Sequence, residues 1–234
     1  MRHTNVFVTR PKWLGSYKRA PAAALSRGRF IFSTPPCARF GILPPMRAIV
    51  FDIETIQIEE GSFDASNMEL TIVCTYDSAT DTYDSFLKED LPRLWQLFEQ
   101  ADALVGYNSD HFDIPVLNKY YPGDLTKLHS IDLLKDIYAS LGRRIKLDTV
   151  AEGTLGAKKS GHGSQAMVWW KQGDIDSLRK YCLKDVELTK RVFDYMREKG
   201  SVKYKELGKN HEIKIDTSKW FAVEAKPLTF TLRF

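Results

Sequence analysis

Arg47-Ala48-Ile49-Val50-Phe51-Asp52-Ile53-Glu54 is a strand-like apolar run that ends in two acids, and the rest of the chain is read from it. Residues two apart on a strand share a face. Asp52 and Glu54 therefore point one way, while Ile49, Phe51 and Ile53 point the other. Two carboxylates side by side at the end of an apolar strand repel unless a positive charge sits between them. A divalent cation is the simplest such charge, because Mg2+ and Mn2+ favour oxygen ligands. Taken alone, Asp-x-Glu is better explained as a solvated pair at an exposed strand tip.

Downstream, Thr71–Tyr76 and Asp81–Leu87 read as two more strands joined by a turn around Ser78-Ala79-Thr80. Leu91, Leu94, Trp95 and Phe98 recur at helical spacing, and Ala103–Tyr107 is a short strand of buried type. A helix is expected from near Asp113–Pro115, carrying Val116, Leu117 and Tyr120. Further helices are expected over Ile131–Leu141 and Leu147–Leu155. Gly156–Gly173 reads as a loop rich in Gly, Lys and Ser. The longest helix opens at Asp174 and runs to about Lys199, where Gly200 ends it. Ser201–Lys205 and His211–Asp216, around Gly208-Lys209-Asn210, read as an appended hairpin, and Trp220–Phe234 follows no clear period. Strands, a helix, a strand and then helices make an α/β pattern: a mixed sheet with helices on its faces.

The 234 residues are 43% hydrophobic and 27% charged, which supports a sizeable core and excludes wholesale disorder. No apolar run approaches the ~20 residues of a membrane-spanning helix. Cys37, Cys74 and Cys182 are too few and too far apart for a disulfide framework or a zinc site, which points to a reducing compartment, the cytoplasm. Nine of the 34 basic residues and none of the 30 acidic ones lie before Ala48, so the net charge of +4 belongs to that segment. Residues 1–45 also hold six of the ten prolines. They read as an extension without a fold, with Met46 as the favoured start. A transit peptide for organellar import and a phosphate-touching arm are the other readings. Three regions are expected: the extension (1–45), a catalytic domain (46–200) and a hairpin appendage (201–234).

Two further clusters carry chemistry. Gly106-Tyr107-Asn108-Ser109-Asp110-His111-Phe112-Asp113 follows a buried strand and offers the Asn108 amide and the Asp113 carboxylate; a turn former and a helix cap explain the same residues. Tyr181 and Asp185 lie four apart on the long helix, hence on one face. They sit close to its apolar side, where an acid needs a partner. A boundary tyrosine and a solvated acid are the bland alternative.

In order and content these clusters resemble the DEDD exonuclease superfamily in its tyrosine-containing branch. Phe51-Asp52-Ile53-Glu54-Thr55, Asn108 with Phe112-Asp113, and Tyr181-Cys182-Leu183-Lys184-Asp185 are similar above all to the proofreading exonuclease domain of B-family DNA polymerases and to stand-alone bacterial ribonuclease H-like relatives. The resemblance covers about residues 47–200. It implies a ribonuclease H-like fold, α/β with a mixed five-stranded sheet flanked by helices. It implies that Asp52, Glu54, Asp113 and Asp185 hold two divalent cations, Mg2+ or Mn2+, and that Tyr181 orients the attacking water. Thr55, Asn108 and Phe112 would contact the substrate, the 3′ end of a single-stranded nucleic acid. The reaction would release nucleoside monophosphates. One departure is that Ile56-Gln57-Ile58 stands where many relatives have Gly or Ser. A chain of this length leaves no room for a polymerase, so proofreading is expected to need a partner.

Smaller signals are read as structural first. His111 is a surface or packing residue. At least one ring of Trp169-Trp170 packs in the core, although both could stack bases. Lys158-Lys159-Ser160-Gly161-His162-Gly163 is a solvated loop with some prospect of phosphate contact. Asp110 competes with Asp113 as the second-cluster ligand, and Cys182 is a core residue. The competing functions are a ribonuclease H-like endonuclease, a non-catalytic nucleic-acid-binding module and an acidic metal-storing domain. The Tyr-x3-Asp pair argues for end cutting, and four ordered acids bring nothing to a pure binder.

Overall fold

The computed structural model describes residues 46–62, 64–157 and 163–221. The basic N-terminal segment, Lys158 to His162 and residues 222–234 lie outside the described residues, and with them the expectations made for those stretches. β1 (Ala48–Gln57), β2 (Met68–Asp77) and β3 (Thr82–Phe86) form an antiparallel meander. α1 (Leu91–Glu99) returns the chain to β4 (Ala103–Gly106), parallel to β1, and after the short α2 (Asp113–Leu117) comes β5 (Ser130–Asp132), parallel to β4. The strand order is β3-β2-β1-β4-β5, a mixed five-stranded sheet. β1 is central because it is apolar on both faces up to Phe51, as a strand covered on both sides must be.

Each face of the sheet has its own core. Ile49, Phe51, Ile53 and Val73 pack with Leu94 and Phe98 of α1 and with Ile114, Val116 and Leu117 of α2. Val50, Ile72 and Cys74 pack on the other side with Leu178, Cys182 and Val186 of α6 (Ile175–Lys199). The long helix has the limits its sequence implies. The Asp174 carboxylate accepts from the Ser177 amide at 3.1 Å, and Gly200 closes the helix at φ 59°.

The β1–β2 register slips once. Glu54 pairs with Ile72 and Thr55 with Leu70, so Thr71 bulges from the ladder, and its hydroxyl donates to the Glu54 carbonyl at 2.8 Å. One extra residue reverses the alternation of side chains. Ile72, Cys74 and Tyr76 face α6, whereas Leu70 and Met68 join Val73 in the opposite core.

Three expectations are corrected. Gly156–Gly173 is not a continuous loop: α5 (Gly163–Gln172) occupies its second half. Ala166-Met167-Val168-Trp169-Trp170 is apolar without a helical period, so no amphipathic stripe marks the helix, and burial of Ala166 at 1% exposure fixes it instead. The helix expected from Ile131 begins at Leu133 as α3 (Leu133–Leu141), because Ser130–Asp132 are drawn into the sheet against Leu104–Gly106. In the hairpin, β6 (Ser201–Glu206) and β7 (Lys209–Lys214) meet at Leu207-Gly208, whose φ values of 48° and 75° suit a two-residue turn.

α4 (Leu147–Leu155) lies directly on β6. The Thr154 hydroxyl donates to the Lys203 carbonyl at 2.7 Å and accepts from the Lys203 amide at 2.9 Å, so a side chain takes the place of a neighbouring strand. Val202, Tyr204, Ile213 and Ile215 are buried in the same cluster as the inner face of α6. Trp220 is also buried there, stacked on Phe193 at 5.2 Å with its indole N–H donating to Asp136 at 2.6 Å. Among the described residues no helix is long and apolar enough to cross a membrane.

Candidate active site

On the α6 face of β1, Ala48 and Val50 are core residues. The next two residues on that face are Asp52 and Glu54, both half-buried. α6 crosses above them and contributes Asp185, only 4% exposed. One carboxylate oxygen from each of Asp52, Glu54 and Asp185 lies within 4.8 Å of the other two. Two elements far apart in sequence thus bring three acids together at the edge of an apolar core. Three carboxylates this close offer the oxygen donors that suit a hard divalent cation.

Asp113 stands outside this tight group. β4 pairs with β1 only as far as Val50, opposite Val105. Beyond that level the turn after β4 carries the chain back and sets Asp113 beside the Ile53 amide, between Asp52 and Glu54 in the sequence. Burial pushes the Asp113 carboxyl up to about 7; its own amide and that of Ile53 pull the other way, and the Asp132 charge adds to the rise. A cation alongside would reverse the effect of burial.

Tyr181 is 6% exposed, one turn before Asp185 on the same helix. Its ring lies 5.8 Å from that of Trp169 on α5, tilted by 56°. The helix that the sequence pattern conceals therefore supplies the wall against which the tyrosine rests. Both Trp169 and Trp170 are half-buried against the core. Beneath Asp52 lies the Cys182 thiol, 3.5 Å from the Asp52 carbonyl and 3.9 Å from Oδ2. Burial first, then the neighbouring Cys74 thiol, push Cys182 well above its ordinary range. It remains a protonated core residue that donates weakly to the strand.

The turn between β4 and α2 is tightly held. A side chain at Gly106 would overlap Ser109, which is fully buried. Asn108 takes the left-handed conformation at φ 69°, which asparagine tolerates better than most residues. The Asp132 carboxylate accepts from the amides of Asn108 at 2.8 Å, Asp110 at 3.1 Å and Leu134 at 2.9 Å, tying turn and α3 together. Asp110 turns away from the acidic cluster, paired with Lys135 at 2.8 Å and bonded by the Ser130 hydroxyl at 2.6 Å. Phe112 is half-buried against the α1–α2 core, His111 is exposed, and Thr55 alternates to the face opposite Glu54. Arg144 donates to the Asn108 side-chain oxygen. Sequence reasoning missed Arg144 and Trp169 in these roles. It also missed Asp132, which a helix begun at Ile131 would have enclosed, although the residue stands just before Leu133-Leu134 as a cap would.

A sequence model described as the RNase_H superfamily matches residues 49–197. The chain belongs to the RNase H superfamily. No curated protein matches it significantly. Among solved structures, the family B DNA polymerase of the hyperthermophilic archaeon Pyrobaculum calidifontis is similar in fold, with a TM-score of 0.52 and 21% identity over 66% of this chain. This RNase H superfamily chain spans 25% of that polymerase's length. Membership of the superfamily supports a nuclease function in general terms; the likeness to the polymerase shows the fold.

Proposed function

We propose that the chain is a two-metal-ion 3′–5′ exonuclease acting on single-stranded DNA or RNA ends. The observation that carries this reading is the meeting of Asp52, Glu54 and Asp185 within 4.8 Å, with Tyr181 one helical turn away. Asp52, Glu54 and Asp185 hold the cations, with Asp113 against the Ile53 amide as the fourth acid. Bound ions supply Lewis-acid stabilisation of the attacking and leaving oxygens. Tyr181 orients the attacking water, and Trp169 limits the directions in which its ring can turn. Asn108 and Phe112, in the turn after β4, position the terminal nucleotide together with Thr55. Water oxygen bonds to phosphorus, the bond from phosphorus to the preceding 3′ oxygen breaks, and that oxygen takes a proton. The products are a nucleoside 5′-monophosphate and a strand shortened by one. Membership of the superfamily alone would fit an endonuclease; the Tyr-x3-Asp pair beside the acids favours end cutting.

The test uses 3′- and 5′-labelled DNA and RNA oligonucleotides with Mg2+ and with Mn2+. A ladder shortening from the 3′ end is expected, abolished by EDTA and by Asp52→Ala or Asp185→Asn, and slowed about a hundredfold by Tyr181→Phe, the lower end of what a positioned proton-handling group contributes. An Asp185→Asn variant that degrades the strand at the parent rate would falsify the proposal.

A further inference from the structure

Tyr107 and Asn108 open the turn that follows β4, the strand paired with β1 as far as Val50 opposite Val105. From Asn108 a groove leads away from the acids, past the ends of β4 and β5. It has two lobes of about 310 and 500 Å3, which share Asn108, Leu134 and Arg144. Tyr138 stands in the wall of the first lobe, an aromatic ring 51% exposed. Arg144 lies between the lobes and Lys146 lines the second. The carboxyl ends of parallel strands are where open α/β sheets bind ligands.

The surroundings make this groove rigid and suited to a polyanion. The Tyr107 phenol donates to the Ile145 carbonyl at 2.8 Å, which pins the segment that carries Arg144 and Lys146. Two acids in the wall are already engaged: Asp110 by Lys135, and Asp132 by the backbone amides of the turn and of α3. Asp148 closes the far lobe, and its buried Oδ1 has no hydrogen-bond donor among the described residues. A flat ring for a base and cations for the backbone are the two components of single-strand recognition.

We propose that this groove holds the nucleotides upstream of the scissile one, with a base stacked on Tyr138 and the following phosphates met by Arg144 and Lys146. The inference rests on the exonuclease reading and names the path of its substrate. Asn108, touched by Arg144, is the hinge between the reacting nucleotide and that path.

The experiment compares the full-length parent with Tyr138→Ala, Tyr138→Phe and an Arg144→Ala/Lys146→Ala double variant. The first readout is kcat/KM on dT12 divided by that on dT2. This length advantage is expected to fall about five- to a hundredfold in Tyr138→Ala, the worth of one base–aromatic stack, and to return in Tyr138→Phe. The second is dT12 binding with Ca2+ in place of Mg2+, against salt. The slope of log Kd on log salt is expected to drop by about 0.7 for each phosphate that the double variant leaves unneutralised. If Tyr138→Ala keeps the length advantage and the double variant keeps the salt slope, the groove is not the path, although hydrolysis continues. If the parent hydrolyses neither oligonucleotide, the exonuclease reading falls and the path with it.

Discussion

Asp77, at the end of β2, is held by Arg47 through two bonds, Nε to Oδ1 at 3.2 Å and Nη2 to Oδ2 at 2.7 Å. Burial works to raise its pKa. The Arg47 pair, the Ala79 amide and the Thr80 side chain outweigh burial and hold the carboxyl below the ordinary range. An acid depressed in the folded state stabilises it above the unfolded value of about 4, and that stability is lost as pH falls through the folded value. Asp77→Asn is therefore expected to cost about 1–2 kcal/mol at pH 7 and to flatten the acid limb of the stability curve. Urea melts of parent and variant between about pH 2.5 and 7 check both. Nothing local announces this pair, because its members are far apart in sequence and meet only through the β1–β2 register. Asp52 and Glu54 are different. Their common face follows from the two-residue period of a strand, and the i,i+4 spacing gives Tyr181 and Asp185 theirs. Arg144 beside Asn108 lies beyond both kinds of local rule.

Helix α4 and strand β6 meet without a layer of side chains between them. A Cβ at Gly153 would stand 2.7 Å from both N and C of Tyr204, a backbone that Thr154 has already fixed. Gly153→Ala is expected to lower stability by about 2–3 kcal/mol through overpacking, despite the ~1 kcal/mol that alanine gains over glycine inside a helix. Chemical denaturation measures this, and an unchanged midpoint would show that the two elements can separate at little cost. The elements that local pattern revealed were those whose burial is one-sided and periodic, such as α1, α4 and α6. The strand β5, only 3 residues long, is too short to carry a period, and α5 lacks a polar face wide enough to show one. The Thr71 bulge leaves no mark in composition, since a threonine on a strand is ordinary.

The three acids at the centre of the sheet link the stability of the fold to cation binding. Asp52, Glu54 and Asp185 are brought close to one another by packing that involves both cores. A cation that binds only the folded state should raise Tm by about 5–10 °C at a hundredfold excess over Kd. Differential scanning fluorimetry with Mg2+, Mn2+ and Ca2+ gives the shift, which is expected to vanish in Asp52→Ala and Asp185→Asn. Equal shifts in parent and variants would mean the ions bind elsewhere. The mixed sheet and the order of the three clusters were legible because they depend on short segments. The groove beside Asn108 was not, because it is made where α3, the segment before α4 and the turn after β4 converge. As for Thr71, it is the surplus residue of the ladder: a deletion at that point would leave Met68 and Leu70 opposite Gln57 and Thr55, on the side they already occupy, and would remove only the kink and the hydroxyl's hold on Glu54.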